Sequence, residues 1–176
     1  MVRMQIPNSK KIICITGSVW TGSRSAPRRL LVKEGFVRPT WFTTSRPITD
    51  ANYRRTSLSS FHLANASNKV LSHTEFGGSI VGIMQEDFNA ALEASKQGVL
   101  IVGPPEIAAQ IAEKIRETVV FTLKEKQMDL STCLDQAIQS GQLHRIDVNA
   151  LEPGAWTTVY RSILETMGLE LPQWMD

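Results

Sequence analysis

Cysteine is scarce in this sequence: Cys14 and Cys133 are the only two in 176 residues. That excludes a disulfide-stapled scaffold and favours reduced thiols. Long apolar runs are missing as well, since no segment approaches the roughly 20 residues a membrane span requires. No membrane association is expected. The opening MVRMQIPNSKK has neither a long apolar core nor a small-residue cleavage site, so no secretory leader and a cytoplasmic location are expected. The Gly-x-Ser-x-Gly elbow of a serine hydrolase is absent. His62, His73 and His144 stand apart from one another and from the cysteines, without the close spacing of a zinc cage, so no metal site is expected. There is no internal repeat or low-complexity tract.

What is present is ordinary globular composition, 42% hydrophobic and 20% charged, in a length suited to one α/β domain. The net charge of +2 conceals an uneven distribution. Residues 1–55 hold 11 Lys/Arg against 2 acids, and residues 56–176 hold 8 against 15. Anions should therefore gather at the first third: a nucleotide, another anionic small molecule, or a nucleic-acid backbone. A solvated basic face would leave the same signature.

The stretch KKIICITGSVWTGSRSAPRR, residues 10–29, carries the strongest motif. Ile12 to Thr16 form a short buried strand, and Gly17 and Gly22 follow with the four-residue interval of a phosphate loop. A working loop of that kind continues with lysine, which reaches the β/γ-phosphates, and then a hydroxyl residue for Mg²⁺. Here Ser23 and Arg24 take those places, with Ser25 next. Gly17, Gly22, Ser23, Arg24 and Ser25 are the candidate phosphate-binding residues. Trp20 adds a bulky ring to the loop, and whether it fills the loop or points outward decides whether a nucleotide can enter.

Periodicity predicts the rest. A helix over residues 25–34 ends at Gly35, and Pro27 is tolerable in its first turn. Thr40 to Thr44 make a strand, residues 45–60 are loop-rich, and residues 61–82 hold short antiparallel strands punctuated by Gly77, Gly78 and Gly82. A helix carrying Met84, Phe88, Ala91 and Leu92 leads to a buried strand at Val99 to Val102. Ile107, Ile111 and Ile115 mark another helix, Val119 to Leu123 another strand. Asp129 caps a helix ending at Gly141, a strand covers Arg145 to Val148, and Pro153 opens a final helix that stops at Gly168. The βαβ alternation predicts an α/β fold with a parallel sheet.

In order and local strings the chain resembles guanylate kinase, a P-loop kinase that moves phosphate from ATP to GMP. The resemblance covers residues 10–170 and is carried by Gly17 to Ser25, by Thr43-Thr44-Ser45-Arg46-Pro47 beside that family's Thr-Thr-Arg-Pro, and by Gly78-Ser79-Ile80-Val81-Gly82 beside its Gly-Asn-Tyr-Tyr-Gly. It implies a three-layer P-loop fold in a single domain over residues 1–176. The core would be 10–39 and 84–170, with an inserted acceptor-binding β lobe at 40–83. It also implies acceptor-phosphate contacts from Arg46, Tyr53 and Arg54, or Arg55 in the last role.

Position by position, much of the family's chemistry is replaced. The guanine-reading glutamate falls on Ser72, a second phosphate tyrosine on Val81, and a guanine-contacting serine on Ile83. A serine does not reproduce a carboxylate's paired acceptance from guanine. Glu75 is the nearest carboxylate. The family's Asp-x-Asp falls on Ile101 and Gly103, leaving Glu106 nearest, where it serves the helix dipole. The lid stretch from Lys124 to Gly141 has Lys124 and Lys126 but no arginine.

Two functions follow as expectations. One is a noncatalytic homologue binding an anionic ligand or a protein partner. The other is a diverged ATP-dependent kinase acting on a nucleoside monophosphate or another small phosphorylated acceptor. In the second, Arg24, Arg28 and Arg46 are the catalytic cations, with ATP and Mg²⁺ as cofactors. Trp174, near the end, is a candidate docking residue.

Overall fold

The computed structural model describes residues 4–17, 31–45, 52–124, 134–147 and 154–175. In chain order its elements are β1 (Lys11–Gly17), β2 (Phe36–Val37), β3 (Trp41–Thr43), β4 (Tyr53–Arg55), α1 (Leu58–Ala66), β5 (Val70–Phe76) and β6 (Ser79–Met84). There follow α2 (Gln85–Ala94), β7 (Gly98–Val102), α3 (Pro105–Lys114), β8 (Thr118–Lys124), α4 (Asp135–Gln139), β9 (Leu143–Asp147), α5 (Ala155–Met167) and a closing 3-10 turn, Gln173–Met175.

Five strands form one sheet in the order β2-β7-β1-β8-β9, every neighbouring pair parallel. The unbroken apolar run of β1 is what such a strand needs, because helices cover both faces. Ile12 and Cys14 point to one side, where they join Val99, Ile101, Val120 and the Ile107/Ile111/Ile115 stripe of α3. Ile13 and Ile15 point to the other, against Leu31, Phe36, Phe121 and the Val159/Tyr160/Ile163/Leu164 face of α5. This is a three-layer α/β fold, a parallel sheet between two helical layers.

A second sheet, ordered β4-β3-β6-β5, mixes parallel and antiparallel pairs. Its β5–β6 hairpin turns at Gly77 and Gly78, with φ of 58° and 79°, the left-handed pair that a tight hairpin turn demands. The strand expected at Thr40 to Thr44 is β3 and lies in this sheet. The parallel sheet takes Phe36–Val37 as its outer strand instead, a two-residue element that periodicity passes over.

α1 is a helix that neither the loop-rich stretch expected over residues 45–60 nor the short strands expected over 61–82 foresaw. Ser57 starts it by accepting the Ser60 N–H on its hydroxyl, a standard cap. It buries Phe61 while Leu58 and Leu63 stay exposed, so it has no apolar stripe to detect. β9 begins two residues before the expected Arg145. Residues 129–133 of the expected Asp129 helix are outside the described residues, and α4 supplies its later part. α5 ends at Gly168, left-handed at φ 67°, as expected.

Candidate functional site

The strand order reverses at β1: the chain leaves β1 for one edge of the sheet, then crosses from β7 to β8 on β1's other side. Ligand clefts in open α/β sheets lie outside the strands' carboxyl ends at such a reversal. The strand ends meeting there are Gly17 of β1, Val102 of β7 with Gly103 beyond it, and Lys124 of β8.

Gly17 has a structural requirement of its own. Its φ is 143°, and a Cβ there would sit 2.2 Å from the Leu123 carbonyl oxygen of β8. Of the expected phosphate-binding set, Gly22, Ser23, Arg24 and Ser25 lie outside the described residues, as do Trp20, Arg28 and Arg46. Just before Gly17, the Thr16 hydroxyl is fully buried without a hydrogen-bond partner.

At the end of β7 the aromatic ring of Trp41 closes on the backbone. A Cβ on Gly103 would approach Trp41 Cη2 to 2.6 Å, while the Gly103 N–H is held by the Ile15 carbonyl at 3.2 Å. Trp41 is 3% exposed, and its ring centroid lies 6.0 Å from that of Tyr53. Sequence alone places no carboxylate at Ile101 or Gly103; the structure puts an indole against that strand end. A charged group there would face an apolar wall, an expensive environment for an ion. Glu106 is exposed on the first turn of α3. Among the described residues, no group of three His, Cys, Asp or Glu side chains is arranged to hold a metal, and the β7 end does not fit Mg²⁺.

The acceptor-side candidates are drawn into other contacts. Tyr53 packs on Trp41. Arg54 makes a two-point pair with Asp87, at 2.8 and 3.4 Å, and reaches Glu86 at 3.7 Å. Two carboxylates of α2's first turn thus offset one guanidinium, and an incoming phosphate must compete with them. Burial raises the Asp87 carboxyl above its ordinary value, outweighing the opposing pull of Arg54. Arg55 is exposed.

Ser72 is fully buried, with its hydroxyl 3.0 Å from Gln110 Oε1 and 3.3 Å from the Ile107 carbonyl. Ile83 is a core residue at 0% exposure. Glu75 is exposed and, an odd number of residues from Ser72, points to the opposite face of β5. It does not replace a carboxylate at Ser72. Thr44 Oγ1 accepts the Ile80 N–H at 2.9 Å, tying the Thr-Thr string to β6.

Two residues escaped the sequence reading. Trp41 looked like ordinary strand content, and only the glycine at position 103 hinted that something large packs there. Gln110 sits on the polar side of α3, and nothing local signals that it meets β5. Elsewhere, Cys14 is buried in β1, and burial pushes its thiol up to about 12. Cys133, Lys126 and the side chains of Lys124 and Trp156 are outside what is described. Trp174 remains 59% exposed, with one face stacked on Tyr160 at 6.2 Å.

No family model matches the sequence, and no curated protein matches it. Among solved structures the fold is similar to guanylate kinase from Anaplasma phagocytophilum. The superposition has a TM-score of 0.62 at 14% identity and covers 94% of this chain and 89% of that chain. The guanylate kinase-like fold expected from the glycine loop and the strand order is thus present along nearly the whole chain. Identity this low carries the architecture alone. No helix among the described residues is long and apolar enough to cross a membrane.

Proposed function

We propose that this chain is a noncatalytic guanylate kinase-like protein that uses its strand-end cleft to bind an anionic ligand or a protein partner. Residues 10–39 and 84–170 form its core, and residues 40–83 form a lobe that no longer reads guanine. The observation that carries this reading is the Trp41 indole against Gly103, where the resembled family places an acid. Further support comes from Ser72 and Ile83, both sealed inside, and from Arg54, already paired with Asp87 and Glu86. Catalysis of phosphoryl transfer rests on positioning and charge stabilisation. Loss of one such contact costs about 10²–10³ in rate, and here several are gone from the sequence together, including the loop lysine.

The test is turnover and binding by the full chain. With ATP, Mg²⁺ and GMP or dGMP, a coupled assay should show no ADP formation above the protein-free rate. Calorimetry with ATP, GTP, GMP and dGMP, with and without Mg²⁺, then separates the ligands. Binding of one anion without turnover supports the proposal. Magnesium-dependent conversion of GMP, or of another small phosphorylated acceptor, replaces it with the kinase that works through Arg24, Arg28 and Arg46.

A further inference from the structure

β5 lies at an edge of the second sheet. An edge strand carries a row of N–H and C=O groups with no strand to receive them, and proteins cover such rows because they template pairing with other chains. Here the covering is done by side chains of α3. Gln110 Oε1 accepts the His73 N–H at 2.9 Å, and Gln110 Nε2 donates to the His73 carbonyl at 2.8 Å. One amide side chain therefore exchanges both hydrogen bonds with one residue, as a neighbouring antiparallel strand would. Lys114, four residues along and on the same helix face, donates through Nζ to the Leu71 carbonyl. Between them the Ser72 hydroxyl lies within reach of Gln110 Oε1 and the Ile107 carbonyl. On its other side the strand is held by the His73 ring, edge-on to Phe61 of α1 at 5.1 Å.

We infer that α3 forms a polar clasp in which Gln110 and Lys114 act as a surrogate strand, locking the second sheet onto the parallel-sheet core and closing the β5 edge. The inference goes beyond the proposed function and holds whether or not a nucleotide binds. It has two consequences. A peptide cannot add as a strand along Leu71 to His73 while the clasp is in place. The lobe cannot swing away from α3 without breaking hydrogen bonds to three consecutive residues of β5.

The unmodified strand contains its own control. His73 and Glu75 are two residues apart, so their N–H groups point outward from the same edge. Among the described residues, only the His73 N–H has a partner beyond the edge. In the ¹⁵N-labelled full chain, the His73 amide should exchange with deuterium about 2–13-fold more slowly than the Glu75 amide, after correction for intrinsic rates, the range that one net hydrogen bond provides. Equal protection overturns the clasp. Gln110→Leu, which keeps the bulk, should bring His73 down to the Glu75 level while the Ile13 and Val120 amides of the parallel sheet keep their protection. Unchanged protection at His73, or equal loss across both sheets, also overturns it. Should the variant fail to fold, the wild-type ratio decides alone.

Discussion

At the scale of single residues, two positions of β1, Gly17 at its end and Cys14 at its centre, carry requirements that have nothing to do with a ligand. Gly17 opens the phosphate-loop pattern, yet its φ of 143° and the Leu123 carbonyl oxygen, 2.2 Å from where a methyl group would sit, force glycine there in any case. Gly17→Ala should therefore lower stability by about 2–4 kcal/mol, combining backbone strain and overpacking. The β-turn residue Gly77 is left-handed too, but nothing lies within 4 Å of its Cβ position, so Gly77→Ala should cost only about 1–2 kcal/mol. Urea midpoints at constant m-value check both, and equal losses would refute the backbone clash. Cys14 makes the second case. Burial raises its thiol from an ordinary 9.0 to about 12, so between those values the folded chain binds the proton that the unfolded chain releases. Stability should fall as pH rises from about 9 to 12, through linkage, and Cys14→Ala should flatten that part of the curve. In the native protein at pH 8 the thiol should resist an aromatic disulfide reagent, becoming reactive only on addition of denaturant.

At the scale of elements, α3 shows how a helix can be fixed at both ends by residues far away in sequence. Its carboxyl end leaves carbonyls without intrahelical partners, and the Gln142 side-chain amide sits over them, 2.9 Å from the Ala112 oxygen and 3.1 Å from that of Arg116. Gln142→Leu should cost about 0.5–1.5 kcal/mol, the net worth of a hydrogen bond to partly exposed carbonyls, and should speed exchange in the last turn of α3 before its first. An unchanged unfolding midpoint would show that water replaces the amide. The same helix shows what the sequence makes legible. Its Ile107/Ile111/Ile115 stripe is a local signal, as are the apolar runs of β1, β7 and β8, and all of them translate into the observed elements. α1 was invisible because a single Phe61 anchors it while its leucines face solvent. Ser72 could be recognised as a poor substitute for a carboxylate, but its actual role depends on Gln110, 38 residues away, and no spacing rule links them. Likewise the glycine at the β7 end was legible as a missing acid, whereas the Trp41 ring against it is a tertiary contact between residues far apart in the chain.

At the scale of the whole molecule, the question is whether two sheets unfold as one unit or as two. Trp41, Leu71 and Ile83 belong to the second sheet, yet they are buried in the same cluster as Ile12, Cys14, Ile107 and Ile111 of the parallel-sheet core. Among the described residues only a small buried group, Phe42, Phe61, Val70 and Met84, is private to the second sheet and α1. The lobe therefore has too little apolar interior of its own to survive apart from the core, and the α3 contacts add polar links across the same junction. A core that extends through both sheets predicts one cooperative transition, with tryptophan fluorescence and far-ultraviolet circular dichroism following the same curve. Phe61→Ala removes a large ring from the private group and should destabilise by about 3–5 kcal/mol, the range for a buried phenylalanine. Because Trp41, Leu71 and Ile83 remain anchored in the shared cluster, the variant should still melt in a single step at a lower midpoint. Two separated transitions, the first losing β5 and β6 while the parallel sheet stays protected, would show that the shared cluster does not couple the sheets.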